Sequence, residues 1–193
     1  MAGRPRLFDK TEALRAAMGV FWRLGFNGAS MADLEEATGV GRQSLYNAIG
    51  SKEVIFTRAL EMYGEEEMEP MVTALQGPGS PLERVRAALV ASRESLTQDG
   101  CRGCLMIQTI AEVGGTEGPL ASLVRSRIQL FESLYHGVLE EARRAGELAP
   151  DTDTRRLTRL LMASSAGMAL LARAEVPDAF LDDILQAALE RLL

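Results

Sequence analysis

The side chains best suited to chemistry cluster near the start of the chain. Arg42, Gln43, Ser44, Tyr46 and Asn47 follow the break Gly39-Val40-Gly41. Arginine can grip guanine through two parallel hydrogen bonds, and glutamine can do the same to adenine. Ser44, Tyr46 and Asn47 can reach phosphates or flanking bases. Ser30 and Lys52 bracket this stretch. Lys52 stands at a helix start, where an ammonium and backbone N–H groups converge on a phosphate. Arg4 and Arg6 flank Pro5 at the N-terminus. They read either as a basic arm reaching phosphates or a minor groove, or as incidental charge on a loose end. On spacing alone, DNA binding and a plain helical hairpin both remain open.

Other reactive groups are few. The chain has 2 cysteines and 1 histidine. Cys101-Arg102-Gly103-Cys104 cannot form a disulfide framework. It reads as a thiol redox sensor, as half of a zinc site lacking two ligands, or as one buried apolar cysteine beside a loop thiol. His136 alone excludes any site built on two histidines. There is no G-x-S-x-G, no Walker loop and no complete dinucleotide fingerprint. The expectation is therefore no catalytic residue, no metal and no cofactor, and a protein that is not an enzyme.

The elements that must position these residues read as helices throughout. The 193 residues are 47% hydrophobic and 25% charged, the composition of an ordinary globular protein of one or two domains. Apolar residues recur at three- and four-residue steps, with no convincing two-residue alternation. The pattern predicts about nine helices: Asp9 to Leu24, stopped by Gly25; Met31 to Thr38, capped by Ser30 with Asp33; Arg42 to Ile49; Lys52 to Leu75, kinked or broken near Pro70; Leu82 to Leu96; Leu105 to Val113; Gly118 to Ala145; a helix capped by Asp151 or Asp153 and reaching Ala174; and Pro177 to Leu193. Leu34 and Leu45 face inward on either side of the Gly39 turn, and Val40 plugs the space beneath it. This is helix-turn-helix spacing.

Charge is uneven along the chain. The net charge is −6, yet residues 1–63 carry eight basic against seven acidic side chains. A near-neutral part must then present its cations locally if it is to meet phosphates. No stretch approaches 18 apolar residues, which excludes a membrane helix. The opening residues lack an apolar signal core, so a cytoplasmic protein is expected.

The stretch from Gly3 to Tyr63 resembles the DNA-binding region of the TetR family of bacterial repressors. The resemblance rests on Gly3-Arg4-Pro5-Arg6, Phe21-Trp22-Arg23-Leu24-Gly25-Phe26, Gly28-Ala29-Ser30-Met31, Thr38-Gly39-Val40, Ser44-Leu45-Tyr46-Asn47-Ala48-Ile49-Gly50-Ser51-Lys52 and Ile55-Phe56. Two departures stand out. Ile49 occupies a position where the family usually has phenylalanine, which predicts a repacked core. Glu35 lies four residues before Gly39, where a small residue is preferred, so its charged end must point outward or the helices must cross more loosely.

The resemblance implies an all-α fold with two parts. Residues 1–51 would form a three-helix helix-turn-helix domain, and residues 52–193 a larger helical domain for ligand binding and dimerisation. It implies a repressor that binds a palindromic operator in double-stranded DNA as a homodimer and is released by a small, largely apolar effector. Arg4, Arg6, Ser30, Arg42, Gln43, Ser44, Tyr46, Asn47 and Lys52 are the expected DNA contacts. Candidate effector contacts are Tyr63, Arg93, Met106, Thr109, Glu112, Phe131, Tyr135 and Met162, and core filling is an equal alternative for each.

The dimer has independent support, because the last two long helices are apolar over more than one stripe. Leu160, Ala163, Ser164, Gly167, Leu171, Leu181, Leu185 and Leu189 are the expected interface. The rival readings are a non-enzymatic helical interaction module and a redox sensor using Cys101 and Cys104.

Overall fold

Several helix starts in this protein are written in short polar residues: Asp9, Ser30, Ser80 and Asp153 each cap the helix that follows. The structure, a computed structural model, describes residues 8–66, 68–97 and 103–192. Among these it contains α1 (Lys10–Gly28), α2 (Met31–Thr38), α3 (Arg42–Ala48), α4 (Lys52–Glu66), α5 (Glu69–Gln76), α6 (Pro81–Ser95), α7 (Leu105–Val113), α8 (Pro119–Arg144), α9 (Thr154–Arg173) and α10 (Asp178–Leu189), with a final 3₁₀ turn. The fold is all-helical. The tenth helix arises because the expected Lys52–Leu75 segment is two helices, with Pro70 in the first turn of the second.

Contacts divide the chain into two compact units, residues 1–63 and 64–193. The expected division at 51/52 falls too early. Ile55, Phe56, Ala59, Leu60 and Tyr63 of α4 are all buried. Phe56 meets Phe21 edge-on at 4.7 Å, and Tyr63 meets Trp22 edge-on at 5.0 Å. The small helix-turn-helix hairpin buries too little on its own, so α4 completes its core.

Within the first unit, Asp9 caps α1 by accepting from the Thr11 and Glu12 N–H groups. The backbone leaves helical geometry at Gly25, at φ 76° and ψ 174°. A side chain there would be strained, which is why the expected stop falls at this residue. The helix then resumes for one turn. Leu34 and Leu45 are fully buried and Ile49 nearly so. Isoleucine therefore fills the position where an aromatic ring was the usual choice.

The second unit packs α6, α8, α9 and α10 around one core that holds Leu89, Leu139, Leu161, Met168 and Leu181. Ser80 and Glu83 form a reciprocal cap on α6, and Asp153 caps α9. Polar ties cross between helices. Arg84 bridges to Glu141, and Arg159 donates to Glu132 at 2.9 Å. Glu147 accepts from the Ser80 hydroxyl and the Leu82 N–H, which joins the α8–α9 loop to the start of α6. No described helix is long and apolar enough to cross a membrane.

Candidate nucleic-acid interface

The turn between α2 and α3 is set by three local devices. Ser30 Oγ accepts from the Asp33 N–H, and Asp33 accepts from the Ser30 N–H at 2.7 Å, so α2 starts at a defined residue. At the other end, the Thr38 hydroxyl donates to Leu34 O and accepts from the Val40 N–H. Gly39 lies between them at φ 65°, the left-handed conformation that glycine adopts at no steric cost. A Cβ at Gly39 would meet no atom within 4 Å. The requirement for glycine here is thus conformational and not one of space.

Helix α3 follows with seven residues. Leu45 is its single buried anchor, while Arg42, Gln43, Ser44, Tyr46 and Asn47 are exposed. Tyr46 leaves 59% of its surface open, high for a large ring. Gln43 Nε2 donates to Asn47 Oδ1 at 3.0 Å, which orients both amides along one face. Such a row is chemically suited to base edges in a major groove.

Glu35 departs from expectation. It is half-buried, and its Oε1 accepts from the Arg42 N–H at 2.6 Å. The charged end is directed to the start of α3 and not simply outward. Gly41 precedes α3 and has no side chain to cap it. That gap was the signal in the sequence: a helix start without a capping residue needs an acceptor from elsewhere.

Lys52 has a role other than the one expected. Its Nζ donates to Phe26 O at 2.8 Å and Ala29 O at 2.9 Å, and lies 4.6 Å from the centre of the Phe26 ring. The ammonium ties α4 to the turn after α1. Two of its three donors are thereby engaged inside the protein and not on a phosphate. Ser30 likewise serves as a cap, with its hydroxyl donating to Asp33. This contact and the Ser30 N–H hold the Asp33 carboxyl below the ordinary carboxylate range. Arg4 and Arg6 lie outside the described residues.

The candidate effector residues do not form a single group. Tyr63 belongs to the first unit, against Trp22. Arg93 is buried, but it donates to Asp182 at 2.8 Å and to Asp178 O at 3.2 Å. It is a tie between α6 and α10, because a buried guanidinium needs a carboxylate at hand. Glu112, Phe131 and Met162 are half-buried. Met106 and Thr109 are buried on α7, where the Thr109 hydroxyl donates to Leu105 O.

Tyr135 differs from the rest. It is buried in the core of the second unit, and its hydroxyl finds no hydrogen-bond partner among the described residues. Burial raises its pKa above the ordinary phenol value. Ser165 Oγ is also buried without a partner.

The expected dimer residues separate into two sets. Leu160 and Ala163 are exposed, and Ser164, Gly167 and Leu171 half-buried, on one side of α9. Leu181 and Leu185 are buried in the chain's own core, which removes them from any interface. Leu189 packs against the same core. Phe180 is instead the large apolar side chain of α10 that is open to solvent. Sequence spacing missed it because both stripes of α10 are apolar. Cys101 lies outside the described residues, and Cys104 is half-buried just before α7. No three metal-ligating side chains gather among the described residues.

An all-helical chain with a glycine turn and an exposed, polar second helix is a DNA-binding regulator of helix-turn-helix type. Residues 13–59 match the tetR family of bacterial regulatory proteins, and residues 81–188 match the tetracyclin repressor-like C-terminal domain. The chain belongs to the TetR family of transcriptional regulators.

It is similar to the HTH-type transcriptional repressor ComR of Escherichia coli (strain K12), 30% identical over 173 residues, 89% of this chain and 82% of that one. The HTH-type transcriptional regulator YezE of Bacillus subtilis (strain 168) is 32% identical and covers 89% of each chain. Among solved structures, a cysteine mutant of the TetR family regulator CifR superposes with a TM-score of 0.85. It is 31% identical, covers 97% of this chain and 98% of that one, and is complexed with 26bp double-strand operator DNA.

Proposed function

We propose that this protein is a cytoplasmic, ligand-responsive repressor that binds a palindromic operator as a homodimer. The observation that carries the reading is the exposed row Arg42, Gln43, Tyr46 and Asn47 on a helix anchored by Leu45 alone. Residues 1–63 read DNA, and residues 64–193 dimerise and receive the effector. The operator complex of CifR and the repressor function of ComR support the same assignment.

The dimer face is the open side of α9 and α10, where Leu160, Leu170 and Phe180 each leave close to half their surface exposed. Ala163 and Gly167 between them permit close helix approach. The effector site includes Tyr135, whose buried hydroxyl favours a largely apolar molecule carrying one hydrogen-bond acceptor. An effector that binds the non-DNA form more tightly lowers operator affinity by that difference.

Gel shifts with DNA from around the protein's own gene test the reading. Wild type is expected to bind one fragment, and Arg42→Ala to weaken it by about 1–3 kcal/mol with relaxed specificity at one base position. Unchanged binding in the Arg42, Gln43 and Tyr46 alanine variants would refute it.

Sedimentation tests the dimer. Gly167→Arg places a charge in the interface, while a Cβ at Gly167 meets nothing within 4 Å inside the chain. The variant is expected to fold, to sediment as a monomer and to lose tight operator binding, because one reading helix spans too few base pairs.

A further inference from the structure

Helices α1, α2 and α6 each begin with a side chain that caps them, from Asp9, Ser30 and Ser80. Helix α3 begins after Gly41, which supplies none. The Arg42 N–H, which no intrahelical acceptor can satisfy, instead donates to a carboxylate seven residues earlier, Glu35 Oε1, at 2.6 Å. A carboxylate at a helix N-terminus is favoured by the helix dipole and makes a charge-assisted bond. A seven-residue helix holds few internal hydrogen bonds, so its start is marginal without a cap. Glu35 itself sits beside fully buried Leu34, so its backbone is fixed to the core of the first unit.

We infer that Glu35 is a positioning residue for operator reading, capping α3 from α2 and fixing where Arg42 and Gln43 are presented. This rests on α3 being the DNA-reading helix. Glu35 need not touch DNA. Its carboxylate also holds a negative charge next to Arg42, on the side offered to DNA. Its two effects on DNA binding therefore have opposite signs. Loss of the cap blurs the presentation of Arg42 and Gln43 and lowers discrimination between sequences. Loss of the charge raises affinity for any duplex. A purely structural role would lower all binding alike.

The test compares wild type, Glu35→Ala, Glu35→Gln and the double variant Glu35→Ala with Gly41→Ser. Gly41 has φ −59°, and a Cβ there would have only Glu35 Oε1 nearby, at 4.0 Å, so serine fits and caps α3 from its own chain position. The probes are the duplex that wild type enriches from a random-sequence library and a shuffled duplex of equal length. The readout is the ratio of the two affinities, with folding checked by circular dichroism. Glu35→Ala is expected to lower the ratio about fivefold, the equivalent of one lost cap, while binding to the shuffled duplex rises. Glu35→Gln keeps the acceptor and is expected to keep the ratio within about twofold, and Gly41→Ser to restore it in the alanine background.

An unchanged ratio in Glu35→Ala overturns the inference, and so does Glu35→Gln matching Glu35→Ala, since charge alone would then be at work. Wild type enriching no duplex overturns the DNA-reading assignment as well. A wild type that selects a duplex, with Glu35→Ala selecting it equally, overturns the positioning role alone.

Discussion

The two units differ in where their side-chain ties run. In residues 1–63 side-chain ties lock helix ends: Asp9 on α1, Ser30 with Asp33 on α2, Glu35 on α3, and Lys52 on the carbonyls of Phe26 and Ala29. Each fixes a turn and leaves the outer face of α3 open to a partner. In residues 64–193, besides the caps of Ser80 and Asp153, ties run between helices, as in Arg84 with Glu141, Arg93 with Asp182 and Arg159 with Glu132. Inside that frame the hydroxyls of Tyr135 and Ser165 are buried with no hydrogen-bond partner among the described residues. The first unit thus holds its turns by their ends and leaves the polar side of α3 exposed. In the second, burial of the Tyr135 and Ser165 hydroxyls is destabilising unless something else meets them.

The contrast can be broken at its core. Phe56→Ala removes the ring that meets Phe21 and Phe26, and is expected to cost the first unit about 3–5 kcal/mol. Trp22 is the chain's one tryptophan and lies in this unit, so its fluorescence reports residues 1–63. Its transition should move well ahead of the helical signal at 222 nm, on the order of several degrees per kcal/mol. Equal shifts by both probes would show that the units unfold as one, and the comparison would fail.

A smaller effect tests the end-locking ties. Lys52→Met leaves two carbonyls without their charged donor and is expected to destabilise the first unit by about 2 kcal/mol. The salt dependence of DNA binding should keep its slope. A slope flattened by about one unit, with stability unchanged, would return Lys52 to a phosphate. In the second unit the sign reverses. Tyr135→Phe removes an unpartnered donor and is expected to stabilise that unit by about 1 kcal/mol in thermal melts. A destabilised variant would mean that the hydroxyl has a partner after all.

The smallest expected effect is on acid stability, with one carboxylate in each unit. Hydrogen bonds from Ser30 lower the Asp33 pKa, and those from the Thr154 hydroxyl and Arg143 lower that of Glu140. A pKa lower in the folded state gives stability that is present above the unfolded value and lost as pH falls through the folded one. Both units should therefore weaken as pH drops through and below the ordinary carboxylate range. Ser30→Ala should flatten that dependence in the tryptophan signal alone, and Thr154→Val in the helical signal alone. Cross-effects would again contradict separate units.

What depends on neighbours along the chain was legible in the sequence. Ser30 with Asp33, the left-handed Gly39, the break at Gly25 and the helix start near Pro70 are local, because caps and turns act over two to four residues. The exposed row on α3 was legible for the same reason: Leu45 alone pointed inward at helical spacing. Tertiary structure alone decided where long side chains ended. Lys52 reaches back 26 residues to Phe26, Glu35 crosses to the start of α3, and Arg93 finds Asp182 89 residues away. It also decided that Leu181 and Leu185 face the chain's own core while Phe180 does not. Where a helix is apolar on two sides, periodicity cannot say which side the chain itself covers. Burying a charge needs a partner, and that partner is set by which helices meet in space.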